Sequence, residues 1–268
     1  MPPSPTDAGL RDLLALVAVL RSPGGCPWDR AQTRRSLLPY LVEETYELVE
    51  AVERGDEDGQ CGELGDLLYL LLLIARIAEE GGSWDVQRAA SGICDKMRRR
   101  HPGILRPPEG EEPFSGSPQA WEAAKAREHG GERSALDGIP RSLPALIRAQ
   151  RAGEKAARIG FDWPDLAGVR AKLDEELAEL DEALASRDPR AIRHELGDLL
   201  LASANLARHA GIGAEDALRE ANIRFEGRFR LLEGLARDRG LDIHGASLEA
   251  LEALWREVKG LGDPPPGA

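Results

Sequence analysis

Aromatic residues are scarce in this chain of 268 residues: Phe, Trp and Tyr together make up 4% of it. Stretches that alternate apolar and polar residues, as half-buried β-strands do, are hard to find. The composition is instead rich in Ala, Leu, Glu and Arg, which are good helix formers. We therefore expect an all-α fold.

Positive charge and cysteine are also in short supply. The net charge is −12, which argues against nucleic acid or an anionic membrane surface as a partner. A polyanionic substrate remains compatible if metal ions and a few placed cations reverse the field locally. The three cysteines are odd in number and have no C-x-x-C spacing, so we expect reduced thiols in a cytoplasmic protein.

Long hydrophobic runs are missing as well. The apolar run Leu67–Ala75 has nine residues, too few to span a bilayer. The run Leu13–Leu20 follows the acidic residues Asp7 and Asp12, where a signal peptide would carry positive charge. We expect no membrane-spanning segment, and we expect both runs to lie in the core.

Two pairs of acidic residues organise the chain. Glu176 and Glu179 are three apart and share a helix face, and so do Glu195 and Asp198. Between the pairs, Asp188-Pro189 predicts a helix start, with Asp188 as N-cap and Pro189 as the first helical residue. Folded back as an αα-hairpin, the two helices bring all four carboxylates to about the same level.

Such a cluster needs a counter-charge. Two like charges about 4 Å apart repel by about 4 kcal/mol at an effective dielectric constant of 20, while a whole domain is stable by only about 5–15 kcal/mol. Carboxylate oxygens select hard cations, so the pattern indicates Mg²⁺, or Mn²⁺, rather than Zn²⁺. The alternative is a solvated acidic helix face, which is common in a chain with 31% charged residues.

The acidic pattern occurs twice, which favours the metal site. The five acids of the first copy recur in the second without a gap, 132 positions later. They are Glu43, Glu44, Glu47, Glu63 and Asp66, followed by Glu175, Glu176, Glu179, Glu195 and Asp198. Both copies end in Glu-Leu-Gly-Asp-Leu-Leu. A repeat kept in register predicts a duplicated functional unit.

The repeat divides the chain into two tandem helical-bundle domains, each built on an acidic αα-hairpin. We expect the first domain at residues 1–102 and the second at residues 121–268. The intervening residues 103–120 are rich in Pro, Gly, Glu and Ser, as linkers are.

Cations follow each acidic hairpin at helical spacing. Lys96 and Arg100 are four apart after the first hairpin, and Arg224 and Arg228 are four apart after the second. Such pairs are usually solvated surface, but their recurrence after both hairpins favours phosphate contacts. A last predicted helix, Leu248–Lys259, carries a tryptophan and a lysine four apart.

Several strings then resemble a known family. The pattern E-E-x-x-E, fifteen residues, E-x-x-D is similar to the carboxylate motif of all-α nucleoside triphosphate pyrophosphohydrolases. Cys26–Thr33, Arg99–Pro102, Ala135–Leu146 and Gly160–Trp163 resemble bacterial MazG. The resemblance runs in the same order from Leu10 to Lys259.

The resemblance implies Mg²⁺-dependent hydrolysis of (deoxy)nucleoside triphosphates to monophosphate and pyrophosphate by a helical homodimer. It implies metal ligands in both units, namely Glu176, Glu179, Glu195 and Asp198 in the second and Glu44, Glu47, Glu63 and Asp66 in the first. It places nucleotide and phosphate contacts at Lys172, Glu175, Arg224, Arg228, Trp255 and Lys259. Glu175 or Glu176 would take the proton of the attacking water, and Lys172 would stabilise developing charge.

The first unit departs from this pattern. Tyr40 stands where the second unit has Lys172, and no helix with Trp and Lys follows before residue 103. Arg34 stands where the family pattern has histidine after Gln32-Thr33. We therefore expect the second unit to perform most of the catalysis.

Other site classes fit less well. A ferritin-like di-iron bundle needs Glu-x-x-His, whereas both copies read Glu-x-x-Asp. The stretch His194–Asp198 lacks the second histidine of the zinc protease helix. A helical nucleotide sensor or scaffold that binds without turnover remains the alternative to an enzyme.

Overall fold

The computed structural model describes residues 5–101 and 134–262, and every regular element in these ranges is an α-helix. The chain divides into two compact units, Met1–Gly130 and Gly131–Ala268. The prediction of a tandem all-α protein is confirmed. The expected linker, residues 103–120, lies outside the described residues. Within the described ranges, no helix combines the length and apolarity needed to cross a bilayer.

The first unit has five described helices: α1 (Pro5–Arg21), α2 (Pro27–Ala31), α3 (Leu38–Arg54), α4 (Glu57–Glu80) and α5 (Val86–Arg100). Helices α3 and α4 form the acidic hairpin, and α1 and α5 both pack on α4. The buried core of the unit consists of Val17, Leu37, Leu70 and Leu73. The core thus joins α1 to the C-terminal half of α4, beyond the acidic residues.

The second unit also has five described helices: α6 (Ala145–Arg158), α7 (Leu166–Ser186), α8 (Pro189–His209), α9 (Ala214–Asp238) and α10 (Leu248–Gly260). Helices α7 and α8 form its acidic hairpin, and α6 packs on α8. Helix α9 packs on α6 and α8, and α10 packs on α9. A separate core cluster, comprising Leu232, Ala236, Leu254 and Val258, joins α9 to α10.

Both acidic hairpins turn in the same way. Two residues separate the helices in each unit, and the first of them has left-handed backbone, with φ of 67° at Gly55 and 58° at Arg187. The second residue is an aspartate N-cap: Asp56 accepts a hydrogen bond from Gly59 N, and Asp188 accepts one from Arg190 N. The predicted helix start at Asp188-Pro189 is confirmed.

The expectation that both apolar runs lie in the core is only partly correct. In Leu13–Leu20 only Val17 is fully buried, and Val19 is 62% exposed. In Leu67–Ala75, Leu70 and Leu73 are buried while Leu71 faces outward. An unbroken apolar run does not show which face of the helix a neighbour covers. The buried residues Val17, Leu70 and Leu73 lie at the contact between α1 and α4.

Candidate functional site

The four predicted carboxylates of the second unit come together on its acidic hairpin, α7 and α8. Ligand atoms of Glu176, Glu179 and Glu195 all lie within 4.8 Å of one another. A second triad, His194, Glu195 and Asp198, meets the same distance limit. The two triads share Glu195, so they form one continuous acidic site. The helical spacing in α7 and α8 produces this arrangement directly.

Glu176 is the buried member of the site. It is 5% exposed, and its Oε1 atom lies 2.7 Å from Lys172 Nζ. Its Oε2 atom is buried and has no hydrogen-bond partner. A buried carboxylate oxygen without a partner costs folding free energy. A cation bound between the carboxylates would satisfy this atom.

Lys172 is the local counter-charge. Its Nζ lies 2.9 Å from Glu175 Oε1 as well as close to Glu176. These hydrogen bonds, that to Glu176 first, raise the pKa of Lys172 above its usual value, so the ammonium stays charged. On the other side of the cluster, lost hydration and then the charge of Glu176 raise the pKa of Glu179. One lysine therefore does not neutralise the whole site.

Sequence reasoning did not assign His194 as a ligand. Its side chain is 72% exposed, and Nδ1 lies 2.9 Å from Asp198 Oδ2 and 3.4 Å from Glu195 Oε1. The signal available in the sequence was the spacing, since His194 adjoins Glu195 and lies four residues before Asp198 on the same helix. The first unit has Gly62 at the equivalent position, so this histidine is specific to the second unit.

The first unit repeats the acidic cluster without the lysine. Ligand atoms of Glu44, Glu47 and Glu63 lie within 4.8 Å of one another. Partial burial, followed by the charge of Asp66, raises the pKa of Glu44. At the position of Lys172 stands Tyr40, whose ring centroid lies 5.6 Å from that of Trp28, edge to face. The first unit thus has the acids and an aromatic pair where the second has a cation.

A cavity of about 250 Å³ opens beside the acidic site of the second unit. Lys172, Glu176 and Asp198 line it at one end. Small or apolar residues of α6 and α8 line most of the remainder: Ala149, Ala152, Gly153, Ala156, Leu201 and Ala202. The cavity therefore joins a charged end to an apolar end.

A polar network closes the apolar end. Arg208 Nη1 donates to Asp162 Oδ2 at 3.0 Å, and Arg208 Nε donates to Asn205 Oδ1 at 2.7 Å. His209 Nε2 lies 2.8 Å from Asp162 Oδ1. The pKa of Asp162 is lowered to about 2, mainly by the hydrogen bond from Arg208. This network ties the loop before α7 to the end of α8.

Trp163 also lines the cavity, and its ring packs closely against Gly168. A Cβ atom at Gly168 would lie 2.7 Å from Trp163 Cδ1, so only glycine allows this close approach. Gly168 N in turn donates to the N-cap Asp165 at 3.0 Å. Sequence reasoning had used the Gly160–Trp163 string for the resemblance, but it had not identified a cavity.

The remaining predicted contacts lie on α9 and α10. Among the described helices, α10 packs on α9 alone, and α9 contacts α6 and α8 but not α7. Trp255 lies against Phe225, with ring centroids 5.4 Å apart. Arg224 is exposed, with its Nη1 atom 3.6 Å from Glu220 Oε2. Within one chain, α9 and α10 therefore do not pack against the acidic residues of α7.

Comparison with known proteins adds a family and its relatives. Residues 32–105 and 166–230 match the family model described as the MazG nucleotide pyrophosphohydrolase domain. The chain is 44% identical over 252 residues to a nucleoside triphosphate pyrophosphohydrolase of Escherichia coli K12, covering 92% of this chain and 95% of that protein. It is 40% identical over 257 residues to the nucleoside triphosphate pyrophosphohydrolase/pyrophosphatase MazG of Thermotoga maritima, covering 95% and 98%.

A third relative is longer. The uncharacterized protein YabN of Bacillus subtilis is 37% identical over 247 residues, which cover 91% of this chain and 50% of that protein.

Divalent metal should stabilise the chain through the acidic site. Binding that is specific to the folded state stabilises it by about 2.7 kcal/mol at a metal concentration of 100 times Kd, and each kcal/mol is worth about 2–4 °C in a protein of this size. We expect Mg²⁺ to raise the melting temperature, and Glu179→Gln to reduce that rise. Differential scanning fluorimetry with Mg²⁺ or with EDTA measures both.

The matched control is Glu182→Gln, which removes an exposed carboxylate of the same helix outside the cluster. It should keep the full rise. In EDTA the Glu179 variant should be at least as stable as the parent, because it removes repulsion. A melting temperature indifferent to Mg²⁺ and EDTA would contradict the site.

Proposed function

Since the chain belongs to the MazG nucleotide pyrophosphohydrolase family, we propose that it hydrolyses (deoxy)nucleoside triphosphates between the α and β phosphates. The products are a nucleoside monophosphate and pyrophosphate. The observation that carries this proposal is the buried, unpartnered Oε2 of Glu176 at the junction of the acidic cluster and the cavity. That junction offers a cation site next to a space large enough for an organic group.

The metal in this proposal is Mg²⁺, with Mn²⁺ as a substitute. Glu176, Glu179, Glu195 and Asp198 would hold it, and their all-oxygen ligand set fits a hard cation. Bound there, Mg²⁺ supplies a Lewis acid that polarises the phosphates and lowers the pKa of coordinated water.

The side chains around the metal have separate tasks in the mechanism. Glu175 is more exposed than Glu176 and lies outside both metal triads, so it is the better placed carboxylate to accept the proton of the attacking water. Lys172 stays protonated, and its ammonium exchanges Glu175 for a phosphate oxygen when substrate binds. Placed there, it stabilises the charge that develops as the pyrophosphate leaves.

The second unit performs most of the catalysis in this proposal. Both units carry the clustered carboxylates, so both bind metal. The tyrosine at position 40 cannot replace the charge of Lys172, and Gly62 stands where the second unit has His194. The first unit therefore lacks the one cation that the second unit places a turn before its acids to stabilise the leaving pyrophosphate.

The proposed assembly is a homodimer in which α9 and α10 of one copy reach the acidic site of the other. These helices carry Arg224, Arg228, Trp255 and Lys259 but do not pack on α7 of their own chain. Phe225 and Phe229 stack with centroids 5.9 Å apart and are 56% and 41% exposed. Exposed aromatic side chains such as these are typical of an association surface.

The position of water attack tests the reaction class. Hydrolysis in ¹⁸O-water with Mg²⁺ should place the label in the nucleoside monophosphate, because the attack is at the α phosphorus. Mass spectrometry of the separated products gives the answer.

Label in orthophosphate, with a nucleoside diphosphate left over, would indicate attack at the γ phosphorus and a different class of enzyme. Binding of triphosphates without any turnover would instead support a non-catalytic nucleotide-binding scaffold.

The two units should respond unequally to matched substitutions. Asp198→Asn or Glu195→Gln should remove nearly all turnover, while Asp66→Asn or Glu63→Gln should leave most of it. Loss of one charge-stabilising donor costs about 10²–10³ in rate, so a unit without the lysine contributes little.

Rates of pyrophosphate release at saturating Mg²⁺ make this comparison, after circular dichroism has confirmed equal helicity. Loss of activity in the Glu63 variant with activity kept in the Glu195 variant would reverse the ranking of the two units.

Mixed dimers test the shared site. One parent carries Glu195→Gln, and the other carries Arg224→Ala together with Lys259→Ala. If each site combines acids of one copy with α9 and α10 of the other, half of the sites in a mixed dimer regain a complete set. The isolated mixed dimer should then have about half of wild-type activity, and a random mixture of the two parents about a quarter.

Co-expression with two different affinity tags isolates the mixed dimer for this assay. A mixed dimer as inactive as its parents would show that α9 and α10 serve their own chain. A monomer in light scattering would contradict the proposed assembly altogether.

A further inference from the structure

The cavity of the second unit has two chemically different ends. Lys172, Glu176 and Asp198 form the charged end, where the proposed function places metal and phosphates. The other end is lined mostly by alanines, Gly153 and leucine, and the guanidinium of Arg208 there is paired with Asp162, so a phosphate entering it would lose its hydration without meeting an unpaired cation. The part of a nucleotide that fits there is the flat, largely apolar base.

The spacing along α8 fits this assignment. Asp198 and Asn205 are seven residues apart on one helix, which is about 10 Å at 1.5 Å per residue. A ribose separates the α phosphate from the base of a nucleotide by a distance of this order. A base at the Asn205 end therefore leaves its α phosphate at the carboxylates.

The hydrogen-bonding direction of Asn205 is fixed by its neighbour. Arg208 Nε is only a donor, so the atom of the amide that it contacts at 2.7 Å is the oxygen. The NH₂ group of Asn205 therefore points elsewhere, and the described residues provide no hydrogen-bond acceptor for it. Since Asn205 lines the cavity, this donor is available to an acceptor on the edge of a bound base.

Gly153 makes the arrangement possible. A Cβ atom there would lie 3.0 Å from Asn205 Oδ1 and 3.1 Å from Arg208 Nε. Both contacts are tighter than ordinary van der Waals contact, so a side chain would push the pair out of place. The glycine thus keeps the Asn205 amide in position at the end of the cavity.

The first unit provides an internal comparison. The two acidic repeats are offset by 132 positions, so Ala202 corresponds to Leu70 and Asn205 corresponds to Leu73. Both leucines are buried in the core cluster with Val17. The first unit thus fills with packed leucine the positions that the second unit leaves small or polar. A packed core is the stable default, so the open form in the second unit indicates a ligand.

We propose that this cavity binds the nucleobase of the substrate and that Asn205 is a specificity-determining residue, donating a hydrogen bond to an acceptor on the base. The proposal rests on the proposed function for the position of the phosphates. At the position that distinguishes paired bases, uracil and guanine carry a carbonyl acceptor, while cytosine and adenine carry an amino donor. A donor in the pocket favours the carbonyl bases.

The decisive variant is Asn205→Asp, which keeps the shape and the acceptor for Arg208 but replaces the NH₂ donor by an acceptor. The measured quantities are the ratios of kcat/KM for UTP over CTP and for GTP over ATP. We expect at least one ratio to fall by about ten-fold or more, since a buried polar group without its partner costs more than the bond is worth. Asn222→Asp, the same change at an exposed site of α9, should leave both ratios unchanged.

A second variant tests the space itself. Asn205→Leu copies Leu73 of the first unit and should fill the apolar end. We expect KM to rise by about ten-fold or more for every triphosphate, with a melting temperature at or above that of the parent. That combination separates a blocked pocket from a misfolded protein.

Binding without turnover separates this proposal from the proposed function. Calorimetric titration with α,β-methylene triphosphates of the four bases in Mg²⁺ needs no hydrolysis. Base-dependent affinities that change in the Asn205→Asp variant would support the pocket even if the natural triphosphates were not hydrolysed. Hydrolysis with base ratios and KM unchanged in both Asn205 variants would overturn the pocket and leave the proposed function standing.

Discussion

Mutual repulsion among carboxylates is the constraint around which both units are built. In the second unit three glutamates of two helices approach within 4.8 Å, and a single lysine contacts only Glu175 and Glu176. Two antiparallel helices joined by two residues hold the charges together against that repulsion. Arg187 adopts the left-handed backbone that Gly55 adopts in the first unit, at some conformational cost, because the short turn requires it.

The two units share this hairpin but differ in what they pack beside it. In the first, Val17 and Leu73 fill the space between α1 and α4, and the hydroxyl of Tyr69 donates to the buried Asp29. In the second, Asp162 is bound instead by Arg208, and the space next to it stays open. The duplication therefore preserved the charged scaffold and diverged in the neighbouring packing. A unit with a filled core gains stability, whereas a unit with an open cavity can accept a ligand.

Local rules account for what the sequence predicted well. Helix periodicity places the carboxylates on shared faces, and the aspartate-proline pair marks the start of α8, so the hairpins and their clusters follow from neighbours in the chain. The cavity does not follow, because Asp162 and Arg208 meet across 46 positions and no local spacing links them. The burial of Leu13–Leu20 was overestimated for the same reason: an apolar run shows its hydrophobicity but not the partner that covers it.

The packing of α10 links the chemistry to association. Leu232, Ala236, Leu254 and Val258 form a small core between α9 and α10 that is separate from the acidic hairpin. The apolar residues between α9 and α10 hold this pair of helices together, and among the described helices the pair does not pack on α7 of its own chain. In the proposed dimer, a triphosphate would bridge the acids of one copy and the cations of the other. By linkage, whatever strengthens association then strengthens substrate binding, and bound substrate strengthens association by the same free energy. In the proposed dimer, the separation of α9 and α10 from α7 within one chain would make substrate binding depend on association.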